Sequence, residues 1–170
     1  DEAESWTPLN LTYDFPGIGS EGLVGIRIHP VDSQCMFVFI SHRFNSAYNY
    51  GVLKSDDGGN TWVNFGPESG ECKVMSSDVY FSSSNPNRVI LSGSTSGCYP
   101  NIAVSDDGGA NWTISGHWWG DRTNEVHADH HHFAYNPVDK KLYVGNDGGI
   151  YWTADKAGTW HEISEGLGIG

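Results

Sequence analysis

The chain has few basic residues and no long apolar run. Its 170 residues include 9 Lys and Arg against 21 Asp and Glu, which gives a formal net charge of -12. Because such an excess of negative charge repels phosphate backbones and anionic lipid headgroups, we expect no nucleic-acid partner. No segment approaches the roughly 18 consecutive apolar residues that a membrane-spanning helix requires, so we expect no membrane span.

Helical periodicity is also missing from the sequence. No apolar pattern persists at a helical period for the roughly ten residues that a helix needs. In contrast, 22 Gly, 8 Tyr, 7 Trp and 7 Phe favour strands joined by tight turns. The composition therefore predicts an all-β fold with almost no helix.

Cysteine is scarce, and its count is odd. Cys35, Cys72 and Cys98 form no C-x-x-C pair of the kind that binds metal. Cys72 and Cys98 flank one predicted pair of strands, so we predict a disulfide between them. Sequence alone does not fix the connectivity, so buried free thiols remain the alternative.

An internal repeat is the main feature that the sequence does contain. A motif occurs at residues 55–62 (SDDGGNTW), at 105–112 (SDDGGANW) and, more loosely, at 153–160 (TADKAGTW). A second marker, a His-Pro or Asn-Pro turn that begins at residues 29, 85 and 136, precedes an apolar strand in each copy. Two markers that keep step at a period of roughly 50 residues indicate a propeller or a solenoid.

Each copy of the repeat predicts a four-stranded antiparallel β-propeller blade. We predict about three blades, at approximately residues 7–66, 67–116 and 117–164, in one segment that covers residues 1–170. Because propellers typically use about four to eight blades, we expect a fragment that is open at both ends. Its expected partners include the remaining blades of its parent chain or other copies.

The repeated motif is predicted to stabilise a hairpin. Its Asp caps the turn, its Gly permits positive φ, its Ser or Thr hydroxyl bonds locally, and its Trp packs between sheets. Structural roles are therefore assigned to Ser55, Asp57, Gly59, Thr61, Trp62, Ser105, Asp107, Gly109, Trp112, Asp155 and Trp160.

These motifs resemble the BNR or Asp-box repeat of sialidases, xyloglucanase-type glycoside hydrolases, sortilin-type receptors and large secreted bacterial propellers. The chain is most similar to the last group, in which a segment like HADHHH at 127–132 precedes an Asn-Pro turn and a strand end like GNDGG at 145–149. The resemblance implies a secreted protein that is extracellular or lies at the cell surface. It does not imply an enzyme, because one scaffold carries unrelated activities.

A sialidase site is not expected in this chain. Such a site needs three arginines that converge on a carboxylate. The chain has only Arg27, Arg43, Arg88 and Arg122, and Arg27 aligns with an ordinary strand position of the other repeats. We therefore interpret Arg27 as structural.

The His-rich segment is the densest group of potential metal ligands. His127, Asp129, His130 and His132 are the candidate ligands of a divalent ion at the channel mouth, because imidazole and carboxylate suit such ions. Strand alternation predicts His130 and His132 on one face and His131 on the other. The alternative is that these groups bond to the next blade and hold the loop. No other cofactor is expected.

Two aspartates are candidate catalytic residues. Asp147 lies in an Asp-Gly-Gly turn that resembles those of glycoside hydrolase propellers, and Asp129 lies in the same predicted blade. Glycoside hydrolysis needs two carboxylates about 5–10 Å apart. The alternative, which turn statistics favour, is that Asp147 only forms an Asx-Gly turn at a strand end.

Aromatic residues are the candidates for ligand binding. Trp118, Trp119, Tyr48 and Tyr50, together with His130, are predicted to contact a sugar, because aromatic faces stack on the apolar face of a pyranose. The alternative is packing between blades. The sequence thus favours a non-catalytic extracellular binding or scaffold module for a glycan or a protein. The alternative function is part of a glycoside hydrolase propeller that cleaves polysaccharide.

Overall fold

The computed structural model describes residues 23–44, 47–66, 75–94, 100–117 and 124–167. Within these ranges the structure contains strands and no helix, in agreement with the predicted all-β class. The strands are β1 (Leu23–Ile28), β2 (Met36–Phe44), β3 (Ala47–Ser55), β4 (Val63–Asn64), β5 (Met75–Phe81), β6 (Val89–Ser94), β7 (Pro100–Ser105), β8 (Thr113–His117), β9 (His130–Asn136), β10 (Lys141–Asn146), β11 (Gly149–Thr153) and β12 (His161–Glu162).

The strands form three four-stranded sheets in which neighbours in sequence are neighbours in space. The orders are β1-β2-β3-β4, β5-β6-β7-β8 and β9-β10-β11-β12, and all the pairs are antiparallel. These are β-propeller blades, as predicted. The blade limits at residues 7–66, 67–116 and 117–164 stay a prediction.

The sheets pack face to face through their apolar side chains. Between the first two sheets, Phe37 and Phe39 pack against Val79 and Leu91. Between the second and third, Ile90 and Ile102 belong to a cluster that continues into β9, β10 and β11. The first strand of each sheet is the innermost one, because β5 contacts both β1 and β9.

The repeated motifs form hairpins between the third and fourth strands of each sheet, and we call residues 55–62, 105–112 and 153–160 the box hairpins. In the first, the Ser55 hydroxyl donates to Asp57 Oδ1 (2.8 Å) and accepts from the Gly59 N–H (2.8 Å). The two Asp57 oxygens accept from the Thr61 N–H (2.8 Å) and the Thr61 hydroxyl (2.6 Å). The hydrogen bonds from Thr61, followed by the one from Ser55, lower the pKa of Asp57 to about 2.

The second and third box hairpins repeat this arrangement with different residues. Asn111 replaces the threonine in the second, where its backbone and side chain both donate to Asp107. In the third, Thr153 takes the place of the serine and donates to Asp155 Oδ1 at 2.8 Å. The hairpins share one conformation because the carboxylate receives donors from both sides of the turn.

The tryptophans of the box hairpins differ in burial. Trp62 and Trp160 are buried, and their indole N–H groups donate to the Gly59 carbonyl (3.0 Å) and to Ser115 Oγ (3.2 Å). Trp112 is half-buried and meets the Phe65 ring edge-on at 5.3 Å. Trp112 and Trp160 pack between neighbouring sheets, as predicted, whereas Trp62 packs against Val38 and Leu53 of its own sheet.

Only one cysteine lies within the described ranges. Cys35 is free and buried, and burial raises the pKa of its thiol to about 11. Cys72 and Cys98, the predicted disulfide, lie outside those ranges. No helix that is long and apolar enough to cross a membrane occurs in the described part of the chain.

Candidate functional site

The strand directions give the three sheets two opposite edges. The box edge carries the box hairpins and the turns between the first and second strands. The other edge, which we call the His–Asp edge, contains the beginning of β9 at His130 and the β10–β11 turn with Asp147. Tyr48 and Tyr50, near the beginning of β3, also lie toward the His–Asp edge. The sequence-predicted site residues that the structure describes therefore share one edge.

His130 is held in the protein interior. It is 2 % exposed, and its Nε2–H donates to the His127 carbonyl at 2.8 Å. The Asn146 side chain donates to the same carbonyl at 3.0 Å. Burial lowers the pKa of His130 from 6.5 to about 4, so the ring is neutral at neutral pH. His127 packs over Gly148, where an added Cβ would lie 2.3 Å from the His127 ring.

A β-bulge changes the predicted alternation of the His-rich strand. Gly145 pairs with His132, and Asn146 pairs with His130, so His131 is an extra residue in β9. His130 is consequently buried while His131 and His132 are both exposed. Strand alternation alone does not predict this bulge, because no residue type in the sequence marks the position of the extra residue.

His131 reaches Asp147 across the sheet edge. Their Nε2 and Oδ1 atoms are 2.5 Å apart, and both side chains are more than half exposed. The contact joins the first residues of β9 to the β10–β11 turn. Because both residues belong to the third sheet, this contact differs from the bond to the next blade that the sequence offers as the alternative to a metal site.

A buried carboxylate, which the sequence analysis missed, lies between the innermost strands. Asp78 on β5 is 1 % exposed, and its Oδ1 contacts Arg27 Nε on β1 at 2.9 Å. Its Oδ2 contacts His132 Nδ1 on β9 at 2.8 Å and accepts from the Phe133 N–H at 2.8 Å. The Val79 N–H also donates to Oδ1, so Asp78 joins three sheets.

The strand register contains the signal that identifies Asp78. Asp78 pairs with Ser92, which pairs with Ile102 three residues before Ser105. His132 pairs with Gly145, which pairs with Ile150 three residues before Thr153. Asp78 and His132 thus occupy the same position in consecutive sheets.

That equivalence explains the contact between Asp78 and His132. Arg27 reaches Asp78 from a different register position, because the equivalent residue of the first sheet is Gly25. Innermost strands face one another, so a charged residue at this position in one sheet meets the same position in the next. Arg27, interpreted as structural from the sequence, supplies the positive charge that Asp78 needs in the interior.

The predicted metal ligands do not converge in the structure. Among the described residues, no group of three or more His, Cys, Asp or Glu side chains is placed to hold a metal ion. His130 points to a carbonyl, His132 to Asp78, and Asp129 has a positive φ of 58° at the entry to β9. In the structure, His130 thus forms a hydrogen bond within its own blade, and His132 contacts the neighbouring blade.

The two candidate catalytic aspartates lie side by side. The Asp147 N–H donates to the Asp129 carbonyl at 3.3 Å, and both residues are exposed. Asp147 also contacts His131, as described above. Two carboxylates at one exposed edge are chemically able to bind sugar hydroxyls or a cationic group.

The aromatic candidates are only partly described. Tyr48 and Tyr50 pair with Arg43 and Ser41 in the β2–β3 hairpin, which runs toward the His–Asp edge. Trp118 and Trp119 lie outside the described residues, immediately after β8. The position of the tyrosines is compatible with a ligand at that edge.

Comparison with known proteins shows the fold. An ancestral GH74 enzyme superposes with a TM-score of 0.60 over 83 % of this chain at 18 % sequence identity. The GH74 enzyme of Niastella koreensis superposes with a TM-score of 0.57 over 85 % at 16 % identity. The chain spans only 18 % and 23 % of the length of these two proteins. No family model matches the sequence, and no curated protein matches it. At these identities the likeness establishes a β-propeller.

Proposed function

We propose that this chain is part of an extracellular propeller that acts as a non-catalytic binding or scaffold module, with the His–Asp edge as its recognition surface for a glycan or a protein. The extracellular location is supported by the resemblance of the repeats to those of secreted propellers. The recognition surface is supported by the exposed polar side chains of His131, Asp129 and Asp147.

The observation that carries the binding proposal is the way the ionisable groups of this edge bond to one another. At the exposed edge, Asp147 contacts His131 at 2.5 Å. Beneath it, the buried Asp78 holds the strand that carries His131, since its Oδ2 accepts from the Phe133 N–H. Groups fixed in this way form a preorganised surface for hydrogen bonding.

A glycosidase acid would need a raised pKa to stay protonated at working pH. Among the described carboxyl groups, every resolved pKa shift is downward. Hydrogen bonds lower these pKa values, and at Asp155 they do so against the opposing effect of burial; the four groups are Asp57, Asp107, Asp139 and Asp155. These four carboxyls are ionised at neutral pH and are suited to holding turns.

The second candidate function is a contribution to a glycoside hydrolase. It is favoured by the contact between the Asp129 and Asp147 backbones, which brings two carboxylates to one exposed edge. It is also favoured by the GH74 enzymes among the similar structures. In this function one carboxyl would protonate the leaving oxygen while the other acts as base or nucleophile.

One experiment separates the two functions. The full-length protein is incubated with soluble polysaccharides, and reducing-sugar release is measured beside binding to a glycan array. A binding module gives array signal without release, and the signal weakens in Asp147→Asn and Asp129→Asn. Asp56→Asn, an exposed carboxylate at the box edge, is the matched control and leaves binding unchanged. Sugar release that disappears in Asp147→Asn but persists in Asp56→Asn would show that the binding proposal is wrong.

A further inference from the structure

A cavity lies between the second and third sheets at the box edge, opposite the recognition surface. Its volume is about 170 Å³, several times that of one water molecule. Ile90 and Leu142, both buried, line its apolar part, and Tyr80 and Tyr135 line another part. The cavity therefore combines an apolar surface with aromatic rings, as small-molecule sites do.

Two lysines give this cavity a positive charge. Lys140 and Lys156 line it and are exposed, while the described residues that line it include no Asp or Glu. The chain as a whole has a net charge of -12, so the sign of the charge at this cavity is opposite to that of the whole chain.

Both lysines are available to a ligand. Within the described ranges neither lysine takes part in an ion pair, whereas Arg27, Lys54 and Arg88 are each paired with an aspartate. The neighbouring Lys141 lies over the Trp152 ring, with Nζ at 3.7 Å from the centroid.

The backbone at both lysines is in a conformation that favours glycine. Lys140 and Lys156 have φ values of 59° and 64°. The residues equivalent to Lys156 in the other two box hairpins are Gly58 and Gly108, with φ values of 70° and 72°. A non-glycine residue in this region is strained because its Cβ crowds the backbone. The third hairpin therefore keeps a lysine where its own repeat would be more stable with glycine.

The surrounding residues fix the position of Lys156 and provide partners for a sugar ring. Arg88 Nη1–H donates to the Lys156 carbonyl at 3.0 Å across the two sheets. The Tyr80 and Tyr135 rings are 5.7 Å apart with an interplanar angle of 34°, and Tyr135 is 39 % exposed. The Ser82 and Ser84 hydroxyls, 3.1 Å apart, lie at the same cavity.

From this arrangement we infer that the cavity binds a sugar that carries an oxyanion, either the carboxylate of a uronic acid or a sulfate ester. Lys140 and Lys156 neutralise the oxyanion, the exposed tyrosine contacts the ring, and the serines bond its hydroxyls. The site lies at the edge opposite the proposed recognition surface, so this inference does not depend on the proposed function.

The test measures binding of D-glucuronate, D-glucose, glucose 6-sulfate and inorganic sulfate to the full chain by calorimetry. Lys140→Gly and Lys156→Gly, singly and together, place at each position the residue that its φ favours, so they should fold and should not lower the melting temperature. Lys141→Gln removes the same charge outside the cavity and is the matched control.

The expected result is binding of glucuronate, glucose 6-sulfate or both, with glucose and inorganic sulfate at least about tenfold weaker. The double glycine variant should lose at least about tenfold in affinity, Lys141→Gln should change little, and affinity should fall with added salt. Equal affinity for glucose, equal affinity for inorganic sulfate, or unchanged binding in the double glycine variant would each overturn the inference. So would failure of both anionic sugars to bind.

Discussion

At the scale of single residues, Asp78 and His130 are two buried polar side chains that are accommodated in different ways. Asp78 lies where three innermost strands meet, and its oxygens contact Arg27 and His132. His130 avoids a charge altogether because burial keeps it neutral. Asp78 is stabilised in the interior by its partners, whereas His130 is accommodated there because it is neutral.

Replacement of Asp78 by alanine should destabilise the protein strongly. Asp78→Ala leaves the Phe133 N–H without its acceptor and removes the negative partner of Arg27, so the free energy of unfolding should fall by about 3–5 kcal/mol. Urea unfolding followed by tryptophan fluorescence measures the loss. Asp56→Ala, whose side chain is 63 % exposed, should change stability by less than about 0.5 kcal/mol. Similar losses in the two variants would contradict this role of Asp78.

His130 should make stability fall as the pH is lowered below neutrality. Its folded-state pKa of about 4 lies below the ordinary histidine value of 6.5, so the unfolded state takes up the proton first. The contribution is fully present above about pH 6.5, is lost progressively as the pH falls to about 4, and is on the order of 3 kcal/mol.

The check is urea unfolding at several pH values in this window, on the wild type and on His130→Gln. The glutamine amide can still donate to the His127 carbonyl but does not titrate. The variant should therefore show a smaller slope of stability against pH. An identical slope would mean that His130 is not the group responsible.

At the scale of elements, the box hairpins are defined by side-chain acceptors inside the turn and by glycines at positive φ. Gly108 and Gly109 follow each other with φ values of 72° and 98°, yet their surroundings differ. A Cβ on Gly109 would lie 2.3 Å from the Phe65 ring, whereas a Cβ on Gly108 would have no atom within 4 Å.

This difference predicts unequal effects of two matched alanine variants. Gly108→Ala should cost about 1 kcal/mol, since it adds only the strain of positive φ. Gly109→Ala should cost about 2–4 kcal/mol, because the methyl group also displaces Phe65 from its contacts with Phe37 and Trp112. Thermal unfolding of the two variants provides the comparison, and a larger loss in Gly108→Ala would contradict it.

The hairpins and the blades could be predicted from the sequence because their determinants are local. Ser55, Asp57 and Thr61 lie within seven residues of one another, and the pattern recurs with the same spacing. The bulge at His131 could not be predicted, since it depends on how β9 pairs with β10.

The contacts of Asp78 were also beyond the sequence patterns. They join Arg27, Asp78 and His132, which are far apart in the chain, and pairing between distant residues leaves no periodic signal. Without them the sequence leaves two interpretations of the His-rich segment open, metal ligands or bonds to the next blade. The contact between His132 and Asp78 is of the second kind.

At the scale of the whole molecule, the second and third sheets are joined by Ser115 as well as by apolar packing. The Ser115 hydroxyl donates to the Ala157 carbonyl and accepts from the Trp160 indole N–H at 3.2 Å. All three residues are buried. One hydroxyl on β8 thus satisfies two polar groups of the neighbouring blade.

Loss of this hydroxyl should weaken the contact between the blades. Ser115→Ala leaves a buried carbonyl and a buried indole N–H without partners, so the unfolding free energy should decrease by about 1–3 kcal/mol. Thr113→Ala, an exposed position on the same strand, should have an effect within about 0.5 kcal/mol. Chemical denaturation measures both, and an equal response would show that the bridge contributes nothing.

Two kinds of connection between strands also differ in how much their length varies from blade to blade. From the third to the fourth strand, the connections run over residues 56–62, 106–112 and 154–160, which are seven residues in every blade. At the opposite edge, the connections from the second to the third strand run over residues 45–46, 95–99 and 147–148. The third-to-fourth-strand connection is therefore constant in length, whereas the second-to-third-strand connection differs in length between blades. A protein engineer who wishes to graft a foreign peptide onto this scaffold should insert it at a second-to-third-strand connection of the first or second blade, since in the third blade Asp147 contacts His131.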